Sequence, residues 1–188
     1  MAEQRCDWCL GSAEYVTYHD QEWGKPVFDD QTLFEFIVLE SAQAGLSWIT
    51  ILRKREGYRQ AFHDFDTIKV AAMNADDIEN LVQDPSIVRH RGKIAATISN
   101  AQCFLKIAAE YGSFSDYYWS FVNHQPIINQ PTNLADVPAV TPLAEQISKD
   151  MKKRGFKFFG PTICYAFMQA TGMVDDHLID CIAKPSLK

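Results

Sequence analysis

The stretch Lys153-Arg154-Gly155-Phe156-Lys157-Phe158-Phe159-Gly160-Pro161 decides the reading of this chain. On its N-terminal side, Thr141-Pro142 opens an amphipathic helix that runs to Arg154, with Pro at the first helical position and Gly155 as the stop. On its C-terminal side, Pro161 opens a second helix, Thr162 to Thr171, ended by Gly172. Two helices joined by a short turn with a glycine at each end let the backbone come close to another molecule. The unpaired N–H groups at the start of the second helix, with Lys153, Arg154 and Lys157 around them, form an anion site. That suits a DNA phosphate, contacted without regard to sequence. An ordinary helical hairpin, with Phe156, Phe158 and Phe159 in the core, fits the same spacing.

Outward from the hairpin, the chain reads as helices nearly throughout. Asp29 and Asp30 precede Leu33, Phe34, Phe36, Ile37 and Glu40 at helical spacing, and Gly45 breaks that pattern. Ser47 is placed to cap a helix carrying Ile49, Ile51, Leu52 and Tyr58. Asp66 and Asn74 start two short helices. A long helix from about Lys93 to Tyr111 carries Ile94, Ile98, Ala101, Leu105 and Ala108 on one stripe. Ser115 reads as the cap of an aromatic segment with Tyr117, Tyr118 and Trp119. Residues 123–140, with three prolines, read as a loop. Asp175 or Asp176 reads as the cap of a last helix carrying His177 and Cys181. No repeat and no convincing run of strands is present, so the class is all-α, one domain over 1–188, with two helical lobes around a cleft.

Composition sets the frame. An apolar fraction of 47% in 188 residues supplies a sizeable core. The polar start and the lack of a long apolar run imply no signal peptide and no membrane span, hence a cytoplasmic protein. Net charge is −6, which weighs weakly against nucleic acid, but distribution matters more than the sum. Twelve of the 18 basic residues fall in three clusters: Arg53, Lys54, Arg55, Arg59; Arg89, Arg91, Lys93; and Lys149, Lys152, Lys153, Arg154, Lys157. These make either a basic face or three solvated helix ends.

Two further groups carry chemistry. Cys6 and His19 stand near one end, and His177 and Cys181 near the other. On a helix, His-x3-Cys presents both side chains on one face. Together the four match the Cys2His2 set that zinc prefers, which would tie the chain's two ends. Buried thiols beside solvated histidines satisfy the same spacing, and Cys9 makes a Cys-x2-Cys with Cys6. Trp8, Tyr15, Tyr18, Trp23 and Trp48 gather in sequence around Glu40, at the end of an apolar helix. A carboxylate among aromatic rings suits a flat, polar or cationic heterocycle. Core packing of the rings and a solvated Glu40 are the plain alternatives.

The chain resembles the 3-methyladenine DNA glycosylase I family of the helix-hairpin-helix superfamily. The matching stretches are Tyr18-His-Asp-Gln-Glu-Trp-Gly24, Leu39-Glu-Ser-Ala-Gln-Ala-Gly-Leu-Ser-Trp-Ile-Thr50, Arg89-His-Arg-Gly-Lys-Ile94, Trp119-Ser-Phe-Val-Asn-His124, Lys153-Arg-Gly-Phe-Lys-Phe158 and Asp176-His177. The resemblance implies a helix-hairpin-helix fold and one structural zinc on Cys6, His19, His177 and Cys181. Cys6, rather than Cys9, fits the family's Cys-x-Trp pattern.

It further implies a base pocket of Glu40, Tyr18 and Trp48 with Trp8 and Tyr15 nearby. The DNA-probing turn maps to Gly45 and Leu46, and the DNA-binding hairpin runs from Gly155 to Gly160 with Lys153 and Lys157. The implied activity is hydrolysis of the glycosidic bond of 3-methyladenine in alkylated double-stranded DNA, without strand cleavage, by a monomer that releases the free base. Pro161 departs from the small polar residue common at that position and removes one N–H. The family lacks the usual catalytic Asp after the hairpin, so Asp175 and Asp176 are not assigned that role. A lesion-binding module without cleavage and a hydrolase using the Cys/His site as a catalytic metal centre are the competing classes.

Overall fold

The computed structural model describes residues 4–185. Nine α-helices occur among them: α1 (Ala13–Gln21), α2 (Asp30–Gln43), α3 (Trp48–Ala61), α4 (Thr67–Ala71), α5 (Ala75–Leu81), α6 (Arg91–Tyr111), α7 (Phe114–Ser120), α8 (Pro142–Lys153) and α9 (Pro161–Ala170). Most begin where a side chain takes over an otherwise unpaired N–H group. Asp29 accepts from Thr32 N, Asp66 from Ile68 N and Lys69 N, and Thr141 from Ala144 N. Asn74 closes a reciprocal cap with Asp77. The cap of α7 is Ser113, not Ser115. Ser115 N instead donates to Asp30, as does Phe114 N, which pins the start of α7 to the start of α2. Ser47 holds the position before α3, but its hydroxyl bonds the Thr50 hydroxyl rather than the backbone.

α2 is the central element. Ten consecutive residues, Leu33 to Ala42, are buried, as expected for a helix enclosed on all sides. It packs against α3, α6, α7 and α9, so Glu40 is carried into the interior. α8 and α9 pack against each other as the hairpin read from the sequence. Gly172, just beyond α9, has φ +67, and a Cβ there would lie 2.2 Å from the backbone of Lys25. Only glycine permits that approach. α1, which the apolar pattern does not announce, is started by the Ser12 hydroxyl accepting from Tyr15 N.

The tail corrects one expectation. His177 and Cys181 do not lie on a helix. Val174–Asp175 forms a short strand, β2, parallel to β1 (Ile127–Ile128), so the described residues are not wholly free of strand. The backbone then turns to distant partners: Ile179 N donates to Pro131 O, and Ile182 N to Gln4 O. Asp175 and Asp176 do not cap anything. Their carboxylates are taken by side chains, Asp175 by His177 and Lys184 and Asp176 by Asn129, Tyr165 and Gln169. Among the described residues no helix is long and apolar enough to cross a membrane.

Candidate active site

The C-terminal end of α2, the start of α3, and α1 converge on a cleft of about 440 Å³. Glu40, Tyr18, Trp48, Trp8, Tyr15 and Trp23 are among the residues that line it. The five aromatic residues that sequence reading placed around Glu40 are thus brought together. Trp8 packs edge-on against Tyr15 at 5.7 Å and against Trp23 at 5.1 Å, and Tyr18 meets Trp48 at 5.6 Å between ring centres. The Tyr15 hydroxyl accepts from Ile49 N at 3.0 Å, which fixes α1 to the first turn of α3.

Glu40 is 3% exposed and makes no hydrogen bond to the described residues. It is not a solvated surface acid. Burial alone pushes its carboxyl up to about 8, so it is largely neutral at pH 7 while the cleft is empty of charge. Burial also pushes the Tyr18 phenol well above its usual range, with Glu40 and Glu22 adding to the shift. The Trp48 indole Nε1 has no partner of full hydrogen-bond geometry among the described residues, though its closeness to the Tyr18 hydroxyl pulls against that shift.

Sequence reading missed the rest of the lining. Leu134, Val137 and Pro138 come from the proline-containing loop, and Tyr165, Gln169 and Asp176 from α9 and the tail. Asp176 is buried and accepts from Tyr165 Oη at 2.6 Å, Gln169 Nε2 at 2.8 Å and Asn129 Nδ2 at 2.8 Å. These donors are 7 to 47 residues away, so no local pattern points to them.

Beside the cleft lies a cluster of metal-ligating types. Ligand atoms of Cys6, His19 and Cys181 all fall within 4.8 Å of one another and are buried. His177 is outside that set, but its ring centre is 4.8 Å from that of His19, and its Nε2 is buried with no hydrogen-bond partner among the described residues. Each imidazole is oriented through Nδ1 by a carboxylate: His19 by Asp20 and His177 by Asp175, both at 2.8 Å. Such outer contacts are usual around metal-bound histidines. Cys9 is buried but not in the cluster. Trp8 touches both sites, its ring 5.4 Å from that of His19.

The basic clusters separate into two kinds of residue. Their arginines are mostly used inside the protein. Arg55 pairs with Glu22 and Glu35, Arg59 with Glu35, Arg91 with Glu79, and Arg154 with Glu110 and Asp150. Lys149, Lys152, Lys153 and Lys157 are exposed and form no ion pair among the described residues. The hairpin they surround is braced from within. Asn100 holds the Lys157 backbone, and the Ser148 hydroxyl donates to Phe159 O at 2.8 Å.

Phe156 and Phe159 are core, whereas Phe158 is exposed at φ +53. Gly155 has φ +103, which favours glycine. Gly160 has an ordinary φ of −74, and a Cβ there would meet nothing within 4 Å. Neither backbone nor packing inside the protein requires glycine at 160, which leaves bare backbone for an outside partner. The second turn, Gly45-Leu46, lies between the cleft residues Gln43 and Trp48, and Leu46 is 40% exposed.

A sequence profile of the methyladenine glycosylase family matches residues 8–184. The DNA-3-methyladenine glycosylase 1 of Escherichia coli K12 is 54% identical over 185 residues, covering 98% of this chain and 99% of that protein. The 3-methyladenine DNA glycosylase I of Staphylococcus aureus superposes with a TM-score of 0.96 at 45% identity, over all of both chains. A variant 3-methyladenine DNA glycosylase I, solved in complex with 3-methyladenine, gives 0.95 at 45% identity over 97% of this chain and 98% of its own. With the cleft, the hairpin and these matches in one chain, the protein belongs to the methyladenine glycosylase family.

Proposed function

We propose that the protein hydrolyses the N-glycosidic bond of 3-methyladenine in alkylated double-stranded DNA, as a base-excision repair glycosylase. The observation that carries this is Glu40, a buried carboxyl with no hydrogen-bond partner among the described residues, lining a cleft walled by aromatic rings. Release of free 3-methyladenine from methylated duplex DNA tests it.

Methylation at N3 leaves the base cationic and its bond to the sugar already weakened. Little protonation of the leaving base is needed. The nucleotide is flipped out of the stack into the cleft. Its positive charge beside Glu40 favours the ionised carboxylate, which accepts hydrogen bonds from the base edge. Tyr18, Trp48, Trp8 and Tyr15 offer ring faces to the cation. As the bond breaks, its electron pair goes to the base and cancels the charge. A water oxygen bonds the sugar carbon and gives its proton to solvent. No lysine lines the cleft among the described residues, which supports hydrolysis without a covalent enzyme–sugar step or strand cleavage.

Lys153 and Lys157, with the bare backbone from Gly155 to Gly160, hold phosphates next to the lesion. Leu46, on the Gly45 turn, enters the duplex and fills the space the flipped base leaves. One chain carries cleft, turn and hairpin in a single domain with two lobes about the cleft, so it acts as a monomer. Its place of action is the cytoplasm, at the nucleoid.

One structural zinc is held by Cys6, His19, His177 and Cys181. The donor chemistry fits: two sulfurs, one imidazole already in reach, and a second with a buried unpaired nitrogen. Zinc would supply a rigid link between the chain's two ends and no catalysis, because four protein donors fill its shell.

A further inference from the structure

The turn that carries Leu46 is secured by Lys93. α2 ends at Gln43, and the last carbonyls of a helix have no partner within it. Lys93, in the first turn of α6, donates from Nζ to Ala42 O at 2.9 Å and to Ala44 O at 2.7 Å. A cation there also complements the negative end of the α2 dipole. Lys93 is half-buried and has no carboxylate partner among the described residues, whereas Arg91, two residues earlier, is paired with Glu79. Its ammonium is committed to the turn. Among the described residues the turn has little else to hold it: Gly45 has φ +82 with open space around it, and a backbone bond runs from Leu46 N to Gln43 O.

α6 makes a second such connection. Asn100 is two helical turns beyond Lys93, on the same face. It binds both the N–H and the carbonyl of Lys157 in the α8–α9 hairpin. One face of one helix therefore grips both exposed turns.

We propose that Lys93 is a positioning residue for opening the duplex: its bonds to Ala42 and Ala44 fix the turn that carries Leu46, between the cleft residues Gln43 and Trp48, at the spacing from the hairpin that α6 sets through Asn100. This rests on the glycosylase reading. Unsecured, the turn samples other orientations, and Leu46 is not aimed at the gap when the base leaves the stack.

Lys93→Met keeps the aliphatic stem and removes the donors. Single-turnover excision from a methylated duplex should fall about tenfold, while the affinity for free 3-methyladenine, read by tryptophan fluorescence, stays within about twofold. Lys93→Arg should restore most of the rate. The salt dependence of duplex binding should not change. A slope shallower by about one would make Lys93 a phosphate contact and overturn the proposal. In a Leu46→Ala background, Lys93→Met should add much less than it does alone, because both act through one side chain. Full additivity, or unchanged duplex excision by Lys93→Met, would also overturn it. If Lys93→Met does not fold, Lys93→Gln, a shorter neutral donor, takes the same tests. Wild-type protein in the same assay separates the two claims. No release by wild type rejects the glycosylase reading, whereas release by wild type and variant alike rejects only the role of Lys93.

Discussion

The buried amide of Asn100 is hydrogen-bonded to both backbone groups of Lys157: Lys157 N donates to Oδ1 and Asn100 Nδ2 donates to Lys157 O, each at 2.9 Å. The hairpin's shape, including the positive φ of Phe158, is thus imposed from the core side. The Lys157 side chain is left to the surface. Asn100→Ala leaves two backbone groups without partners, which costs about 1–3 kcal/mol. Denaturant unfolding should show that loss, with weaker binding to damaged and undamaged duplexes alike. Unchanged binding by a destabilised variant would mean that the hairpin's shape does not matter to DNA.

Lys153 and Lys157 have no ion-pair partner among the described residues, so their charge is available to phosphate. Replacing both with Ala should weaken duplex binding irrespective of the lesion and lower the salt slope by about two. A change in lesion preference with the slope intact would remove the hairpin from the DNA contact.

For the Cys/His cluster we expect about one zinc per chain in freshly purified, untagged protein by elemental analysis. Cys181→Ala should lose most of the metal and melt roughly 5–15 °C lower, given about 2–4 °C per kcal/mol at this size. It should lose proportionately less excision per folded molecule, because Cys181 does not line the cleft. Well-folded, active wild-type protein that never contains metal would contradict the assignment.

Burial of Glu40 makes stability depend on pH. Its carboxyl titrates near 8 in the fold, against 4.5 ordinarily. Between these values the unfolded chain has lost its proton while the native chain keeps it. Native protein then binds more protons, and stability falls as pH rises. The contribution is fully present below pH 4.5 and gone above 8. Relative to Glu40→Gln, which cannot titrate, wild type should lose roughly 2–5 kcal/mol across that window. Denaturant melts of both proteins at several pH values measure it. A constant difference would mean that Glu40 is already ionised in the fold.

What was legible in the sequence was local. The α8–α9 hairpin could be read because Thr141-Pro142, Gly155 and Pro161-Gly172 act on their immediate neighbours. The caps at Asp29, Asp66 and Asn74 follow the same logic. The tail could not be read, since the bonds that keep 176–182 from coiling run to Pro131 and Gln4. For the same reason Asp176, held by Asn129, Tyr165 and Gln169, gave no sign of lining the cleft. α1 is polar, and only Ser12 marked its start. Charge runs misled most: Arg55 and Arg91 are paired with carboxylates of the same chain and Lys93 ties down the end of α2, whereas Arg89 and the hairpin lysines are exposed without an ion pair among the described residues. Cys6 and Cys9 were equivalent by spacing until the fold placed only Cys6 beside His19 and Cys181.

The central claim is that the Glu40 carboxyl stabilises a cationic base as it leaves. Glu40→Gln keeps the size and one acceptor oxygen but removes the charge. A charge-assisted hydrogen bond contributes about 1.5–3 kcal/mol, so single-turnover release of 3-methyladenine from a methylated duplex should fall roughly tenfold or more, with affinity for undamaged DNA nearly unchanged. Wild-type release rates in a folded Glu40→Gln protein would contradict the account.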